Sequence, residues 1–270
     1  MKRVLSIQDL SCLGKCSLTV ASPILAVLGL SCTVLPTAVL STHTAFPGPY
    51  VKPMTEDLLP VATHWKSGGA TFDGISVGYL SDPEQARQVE KVLELFPALT
   101  VIDPAMGDHG KLYRGMTEQN VQAMRTLCAR GDYLLPNLTE AALLTDMPYR
   151  DDPSEEYLQE LLRKLMAFGV KGVVITGIAW DENTTGFAGI DRETGEFTYR
   201  ASRIPRQSHG TGDMFCAVTT GALVRGATLY DAARQAAGFV EQVILATPEP
   251  TPFGANFEPV LPWLLQKNEE

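Results

Sequence analysis

The sequence predicts an α/β domain whose mostly parallel sheet carries helices on both faces and an antiparallel hairpin at one edge. Three observations lead there. Short, β-branched, nearly all-apolar runs alternate with stretches of helical period along the 270 residues, the pattern of parallel strands buried on both faces. An apolar content of 45% is enough to bury one large core, so residues 1–270 are expected to form a single domain. Between residues 184 and 204 the period becomes an alternation around Glu193-Thr194-Gly195, which reads as a hairpin added to the sheet.

In chain order, strands are expected at 3–7, 33–35, 75–79, 100–102, 133–135 and 172–176, each short and mostly apolar. Helices are expected at 83–95, 117–130, 155–168, 211–225 and 229–246, where apolar residues return at three- and four-residue spacing. The apolar stretch 18–30 is broken by Pro23 and falls short of the ~20 residues that cross a bilayer. The opening Met1-Lys2-Arg3 leads into Val4-Leu5-Ser6-Ile7, too brief for the apolar core of a signal peptide. Neither export nor a membrane span is expected.

A net charge of −9 with no basic stripe argues against nucleic acid or an anionic membrane as partner, and points to a small molecule. The five cysteines, Cys12, Cys16, Cys32, Cys128 and Cys216, are odd in number and scattered, as free thiols of a reducing cytoplasm would be. No second Cys/His pair accompanies Cys12 and Cys16, so no zinc site is expected.

The chemistry concentrates at Gly210-Thr211-Gly212-Asp213, directly before a helical run. Glycines on both sides of Thr211 let backbone approach a phosphate, and the unpaired N–H groups of a helix's first turn point at it. A carboxylate there either complements the helix dipole or takes a proton from an attacking alcohol. In open parallel sheets the ligand crevice lies beyond the carboxyl ends of the strands. Three further groups fall at such points. Asp103-Pro104-Ala105-Met106-Gly107-Asp108 offers two carboxylates that would organise Mg²⁺, though both dipeptides are also ordinary turn formers. Asn137 and Glu140 have the spacing of a capping box, and a helix N-terminus facing the crevice also suits phosphate. Thr176-Gly177 places a hydroxyl beside bare backbone. Neither a P-loop nor a dinucleotide-binding G-x-G-x-x-G string occurs.

The ordered motifs D-P-x-x-G-D at 103–108, N-x-x-E at 137–140 and G-T-G-D at 210–213 resemble those of the ribokinase superfamily. Within it, Ser6-Ile7-Gln8, Ser41-Thr42-His43-Thr44 and Gly110-Lys111-Leu112-Tyr113 make the chain similar to pyridoxal kinases over nearly its whole length. The resemblance implies a three-layer ribokinase-like fold and ATP-dependent phosphorylation of the 5′-hydroxyl of a vitamin B6 vitamer. It implies Asp213 as base, with Gly210, Thr211 and Gly212 as anion hole. Asp103, Tyr113, Asn137, Thr176 and Gly177 would line the ATP site, Asp108 and Glu140 would serve the metal, and Ser6, Asp9 and Thr44 would face the substrate. Mg²⁺, a monovalent cation and a homodimer belong to the same expectation.

Two features depart from that pattern. Better-known pyridoxal kinases have serine where this chain has Asp9, and a carboxylate there would pair with the ammonium of pyridoxamine or bond to its own turn. Asp9, Ser11 and Gly14 also resemble the opening turn of hydroxymethylpyrimidine kinases, but those enzymes typically carry cysteine where this chain has Asp213. A vitamer- or nucleotide-binding protein without turnover is the reading from another class. A carboxylate inside an anion site gives a pure binder nothing.

Overall fold

The computed structural model describes residues 1–206, 208–249 and 252–266. Its first half runs β1 (Arg3–Leu13), α1 (Leu18–Val27), β2 (Ser31–Thr42), β3 (Val51–Pro53), α2 (Leu58–Ser67), β4 (Gly74–Val77), α3 (Pro83–Leu95) and β5 (Leu99–Ile102). A small hairpin, β6 (Gly107–Asp108) and β7 (Lys111–Leu112), precedes α4 (Glu118–Cys128), β8 (Tyr133–Leu134), α5 (Leu138–Thr145) and α6 (Glu155–Met166). The rest comprises β9 (Gly172–Ala179), β10 (Thr184–Asp191), β11 (Gly195–Ser202), α7 (Thr211–Arg225), α8 (Leu229–Leu245) and α9 (Leu261–Gln266).

Among the described residues nine strands form one sheet in the order β11-β10-β9-β8-β5-β4-β1-β2-β3. The six central strands are parallel, while β3 at one edge and the β10–β11 hairpin at the other run antiparallel. Successive strand residues enter different cores, because side chains alternate across a sheet. Leu5, Ile102 and Val173 pack with α2 to α6 on one face. Val4, Val101 and Val174 pack with α1, α7, α8 and α9 on the other. This double coverage is why the strands read as unbroken apolar runs. It also makes the expected three-layer α/β architecture, edge hairpin included, the observed one.

Helix α7 is the most deeply set, with every residue from Met214 to Val224 buried. Its amphipathic contrast is weak for that reason, and its register is fixed by both neighbouring helices and the strands beneath. Several elements exceed or escape the sequence expectation. Strand β1 continues to Leu13 and β2 spans Ser31–Thr42, pairing across a shift between Gln8 and Leu10. Helices α1 and α2 were not expected. Pro23 sits inside α1, whose buried Leu18, Val20, Ala21, Ile24 and Leu25 hold it against α7.

Candidate active site

The carboxyl ends of the parallel strands deliver the motif residues to one crevice. The chain leaves β5 directly into Asp103, whose backbone N–H donates to the Val77 carbonyl (2.9 Å). Beyond β8, Asn137 pairs with Thr176 of β9 in a parallel bridge, so two residues 39 apart in sequence, 176 minus 137, lie side by side. Facing them, α7 begins at Gly210.

Gly210 has φ 87°, the left-handed region, and a Cβ at this position would clash with the Lys15 carbonyl oxygen. Glycine alone meets both demands. Helix α7 has no side-chain cap at its N-terminus, which leaves the N–H groups of its first turn for an anion. At Gly212 a Cβ would meet no protein atom within 4 Å, and the same holds at Gly177, so both glycines border open space. Thr211 Oγ1 donates to the Ser208 carbonyl at 3.4 Å.

Burial pushes the Asp213 carboxyl up to about 7, and the negative charge of Asp9 acts in the same direction. The neighbouring Ser17, through its backbone N–H and its hydroxyl, acts the other way. Asp103 is raised to about 8, by burial and then by Asp213. Glu140 is also raised, by burial and then by Asp103. These acids therefore share one electrostatic field, and the neighbours that raise each one are other carboxylates. Tyr113 reports the same grouping: burial raises its hydroxyl, followed by the charges of Glu140, Asp108, Asp103 and Asp213.

Asn137 and Glu140 form a complete capping box on α5, Asn137 Oδ1 accepting from the Glu140 N–H (3.0 Å) and Glu140 Oε2 from the Asn137 N–H (2.8 Å). Glu140 Oε1 also accepts from the Met106 N–H at 3.1 Å, and Asn137 Nδ2 donates to the Gly107 carbonyl at 2.8 Å. The box therefore anchors the 103–108 segment as well as the helix. Asp108, unlike the buried Glu140, is exposed on the β6–β7 hairpin, where it accepts from the His109 N–H (2.8 Å).

The donor set of Asp103, Asp108 and Glu140 is all oxygen, which fits a hard divalent cation. No group of three or more His, Cys, Asp or Glu among the described residues encloses a single point. A cation that keeps its waters and leans on substrate phosphates matches such a site, as Mg²⁺ does.

On the substrate side, Asp9 is 3% exposed and spends its oxygens on Ser17 Oγ (2.5 Å) and Ser11 Oγ (2.8 Å). Burial raises its carboxyl and these two serines lower it. Its bonding to its own turn is thus the reading that the geometry realises. Ser6 is fully buried in β1, its Oγ accepting from Gln8 Nε2 (2.8 Å). Its side chain presents no surface to solvent. Thr44 is half-buried in the turn after β2, next to His43. Sequence reasoning missed Ser17, whose hydroxyl donates to Asp9 and which lowers the Asp213 carboxyl. It also missed the 252–258 segment, whose Phe253 carbonyl accepts from the Lys15 N–H (2.7 Å). Only its distance in sequence concealed it.

Known proteins share the fold that carries these residues. A family model described as phosphomethylpyrimidine kinase matches residues 28–260. Over 264 residues the chain is 31% identical to a pyridoxine/pyridoxal/pyridoxamine kinase of Bordetella avium (strain 197N), covering 90% of this chain and 85% of that protein. A Bacteroides thetaiotaomicron protein, described provisionally as a phosphomethylpyrimidine kinase and solved with pyridoxal, superposes with a TM-score of 0.93 at 37% identity. That match covers 97% of this chain and 95% of the other. The pyridoxal kinase of Lactobacillus plantarum superposes with a TM-score of 0.91 at 33% identity, covering 100% and 98%. With its parallel sheet, its G-T-G-D helix start and these relatives, the chain belongs to the phosphomethylpyrimidine kinase family and is a kinase of the pyridoxal kinase group within the ribokinase-like superfamily.

Proposed function

We propose that the chain transfers the γ-phosphoryl group of ATP to the 5′-hydroxymethyl group of a B6 vitamer, in salvage of the phosphorylated cofactor. The observation that carries this reading is Asp213, a carboxyl held near neutrality in the first turn of an uncapped helix, directly behind the Gly210–Gly212 turn. A base works best when its pKa lies near the working pH.

In this reading the nucleotide lies across Asp103, Tyr113, Asn137, Thr176 and Gly177, with its terminal phosphate at Gly210, Thr211 and Gly212. The vitamer, between Thr44 and the turn organised by Asp9, presents its hydroxyl to Asp213. Asp213 accepts the proton as the new P–O bond forms and the bond to the leaving ADP oxygen breaks. The first-turn N–H groups of α7 stabilise charge on the transferred group, as preorganised donors do. Asp108 and Glu140 would hold Mg²⁺ through its waters, which would neutralise phosphate charge beside the carboxylates. A cytoplasmic homodimer completes the proposal, and Val34, Tyr50 and Val51, exposed at the β2–β3 end, offer an apolar face for pairing.

The second reading, phosphorylation of hydroxymethylpyrimidine, draws on the description of the matching family model. ADP release with Mg-ATP and pyridoxal, pyridoxamine, pyridoxine or hydroxymethylpyrimidine separates the two, with Asp213→Asn as control. Vitamer-dependent release that the variant loses is the expected result. Turnover of the pyrimidine alone would move the assignment to the second reading, and silence with all four alcohols would overturn both.

A further inference from the structure

The loop joining β1 to α1 touches both halves of the catalytic apparatus. Its Lys15 carbonyl oxygen lies where a Gly210 side chain would be, so it sets how α7 begins. Two residues on, Ser17 is held at φ 49°, an unusual angle for a residue with a Cβ, and its hydroxyl donates to Asp9 Oδ1 (2.5 Å). Such an angle persists only where surrounding contacts impose it.

Lys15, two residues before Ser17, is held from the far end of the chain. Lys15 Nζ donates to Asn256 Oδ1 (2.9 Å) and to Glu258 Oε2 (2.7 Å). The Lys15 N–H donates to Phe253 O, and a Cβ on Gly254 would stand 2.9 Å from the Lys15 carbonyl oxygen. The Ala255 N–H in turn donates to the His209 carbonyl (3.2 Å), immediately before the anion-hole turn. One lysine is thus bound along backbone and side chain by a segment that also grips residue 209. The ammonium is partly buried and Glu258 half-exposed. An ion pair of that exposure contributes little to global stability, so its placement calls for another reason.

We propose that Lys15 is a positioning residue for phosphoryl transfer: clamped by Asn256 and Glu258, it holds the 14–17 loop so that its own carbonyl oxygen stays against Gly210, where α7 begins. The proposal rests on the kinase reading above and adds to it a residue that touches neither substrate.

The test compares Lys15→Met, Lys15→Arg and Glu258→Gln with the wild type in kcat, in KM for ATP and alcohol, in Tm, and in amide hydrogen exchange of residues 209–214 without substrate. Displacing catalytic groups by a fraction of an ångström lowers turnover without removing binding contacts, so Lys15→Met should lose about tenfold in kcat while both KM values stay within about twofold. Lys15→Arg, which keeps the charge and donors, should recover most of the loss, Glu258→Gln should show part of it, and exchange at residues 211–213 should quicken in Lys15→Met and not in Lys15→Arg. Wild-type kcat and exchange in Lys15→Met would overturn the proposal. So would a fall in kcat that follows Tm and that Lys15→Arg does not rescue. If the wild type turns over none of the alcohols, the kinase reading has failed, and the exchange measurement still decides: unchanged exchange overturns the role of Lys15.

Discussion

The Ser17 hydroxyl donates to Asp9 Oδ1 at 2.5 Å, from a residue held at a positive φ that also lowers the Asp213 carboxyl. One residue thus links Asp213, the proposed base, to the chain's departure from the serine of better-known pyridoxal kinases. The acidity of Asp213 is set by burial working against Ser17, and the first predictions follow from that opposition.

Asp213 must be ionised to accept a proton, so kcat should rise with pH through about 7 and level off above it. Ser17→Ala removes a hydroxyl that lowers the Asp213 pKa, and its rising limb should move to higher pH. A pH–kcat profile of both proteins checks this, and a limb that moves to lower pH would contradict it.

Asp213→Asn should reduce kcat by on the order of 10²–10⁴-fold with ATP affinity largely kept. It should also stabilise the fold above neutrality. Asp213 has its folded pKa raised from 3.8 to about 7, so the folded state holds the proton more tightly. Its stabilising contribution is complete below about 4 and is lost as pH rises through 7. Melting curves should therefore show a higher Tm for the variant at pH 8 and none of that gain near pH 4. The difference at pH 8 should be at most a few kcal/mol, at about 1.4 kcal/mol per pKa unit, because the carboxyl is only partly enclosed.

Gly210→Ala and Gly212→Ala should fail differently. The first forces a Cβ into the Lys15 carbonyl at a left-handed φ, and should cost about 1–3 kcal/mol of stability along with activity. The second fills open space in the crevice, so Tm should hold while kcat/KM falls by an order of magnitude or more. Thermal melts beside steady-state kinetics separate them, and parallel losses in both variants would refute an open phosphate cradle at Gly212.

Asp9→Ser should leave the ratio of kcat/KM for pyridoxamine over pyridoxal unchanged while lowering both values, because Asp9 bonds Ser11 and Ser17. A ratio that falls in the variant would show that the carboxylate recognises the amine directly.

Elements governed by local pattern were legible from the sequence. Helix α3 announces itself through apolar spacing and Asp82, whose side chain accepts from the Gln85 N–H as N-cap. The hairpin shows in its alternation, and the G-T-G-D turn in its glycines. The elements missed are those stabilised from outside. Proline inside α1 is tolerated because α7 packs against it, and β1 runs past Ile7 because β2 pairs with it as far as Thr42. In the site, Asp103 follows a strand end and Asn137 and Asp213 open helices, positions that topology makes visible, whereas Thr176 lies inside β9, which runs on to Ala179. Ser6 and Asp9 follow another rule. Their environments depend on Gln8, Ser11 and Ser17 folding back along one strand and its loop, which no motif spacing encodes.

The clamp on Lys15 joins residues 241 apart. During synthesis the sheet's central strands and α7 can pair and pack well before residues 252–258 leave the ribosome, since segments fold as they emerge. If the clamp sets the start of α7 as proposed, the Gly210–Asp213 turn would reach its final geometry only after the sheet is in place. A nascent chain would have a nearly finished scaffold and an unassembled crevice, so its competence as a catalyst would come in a late, separate step.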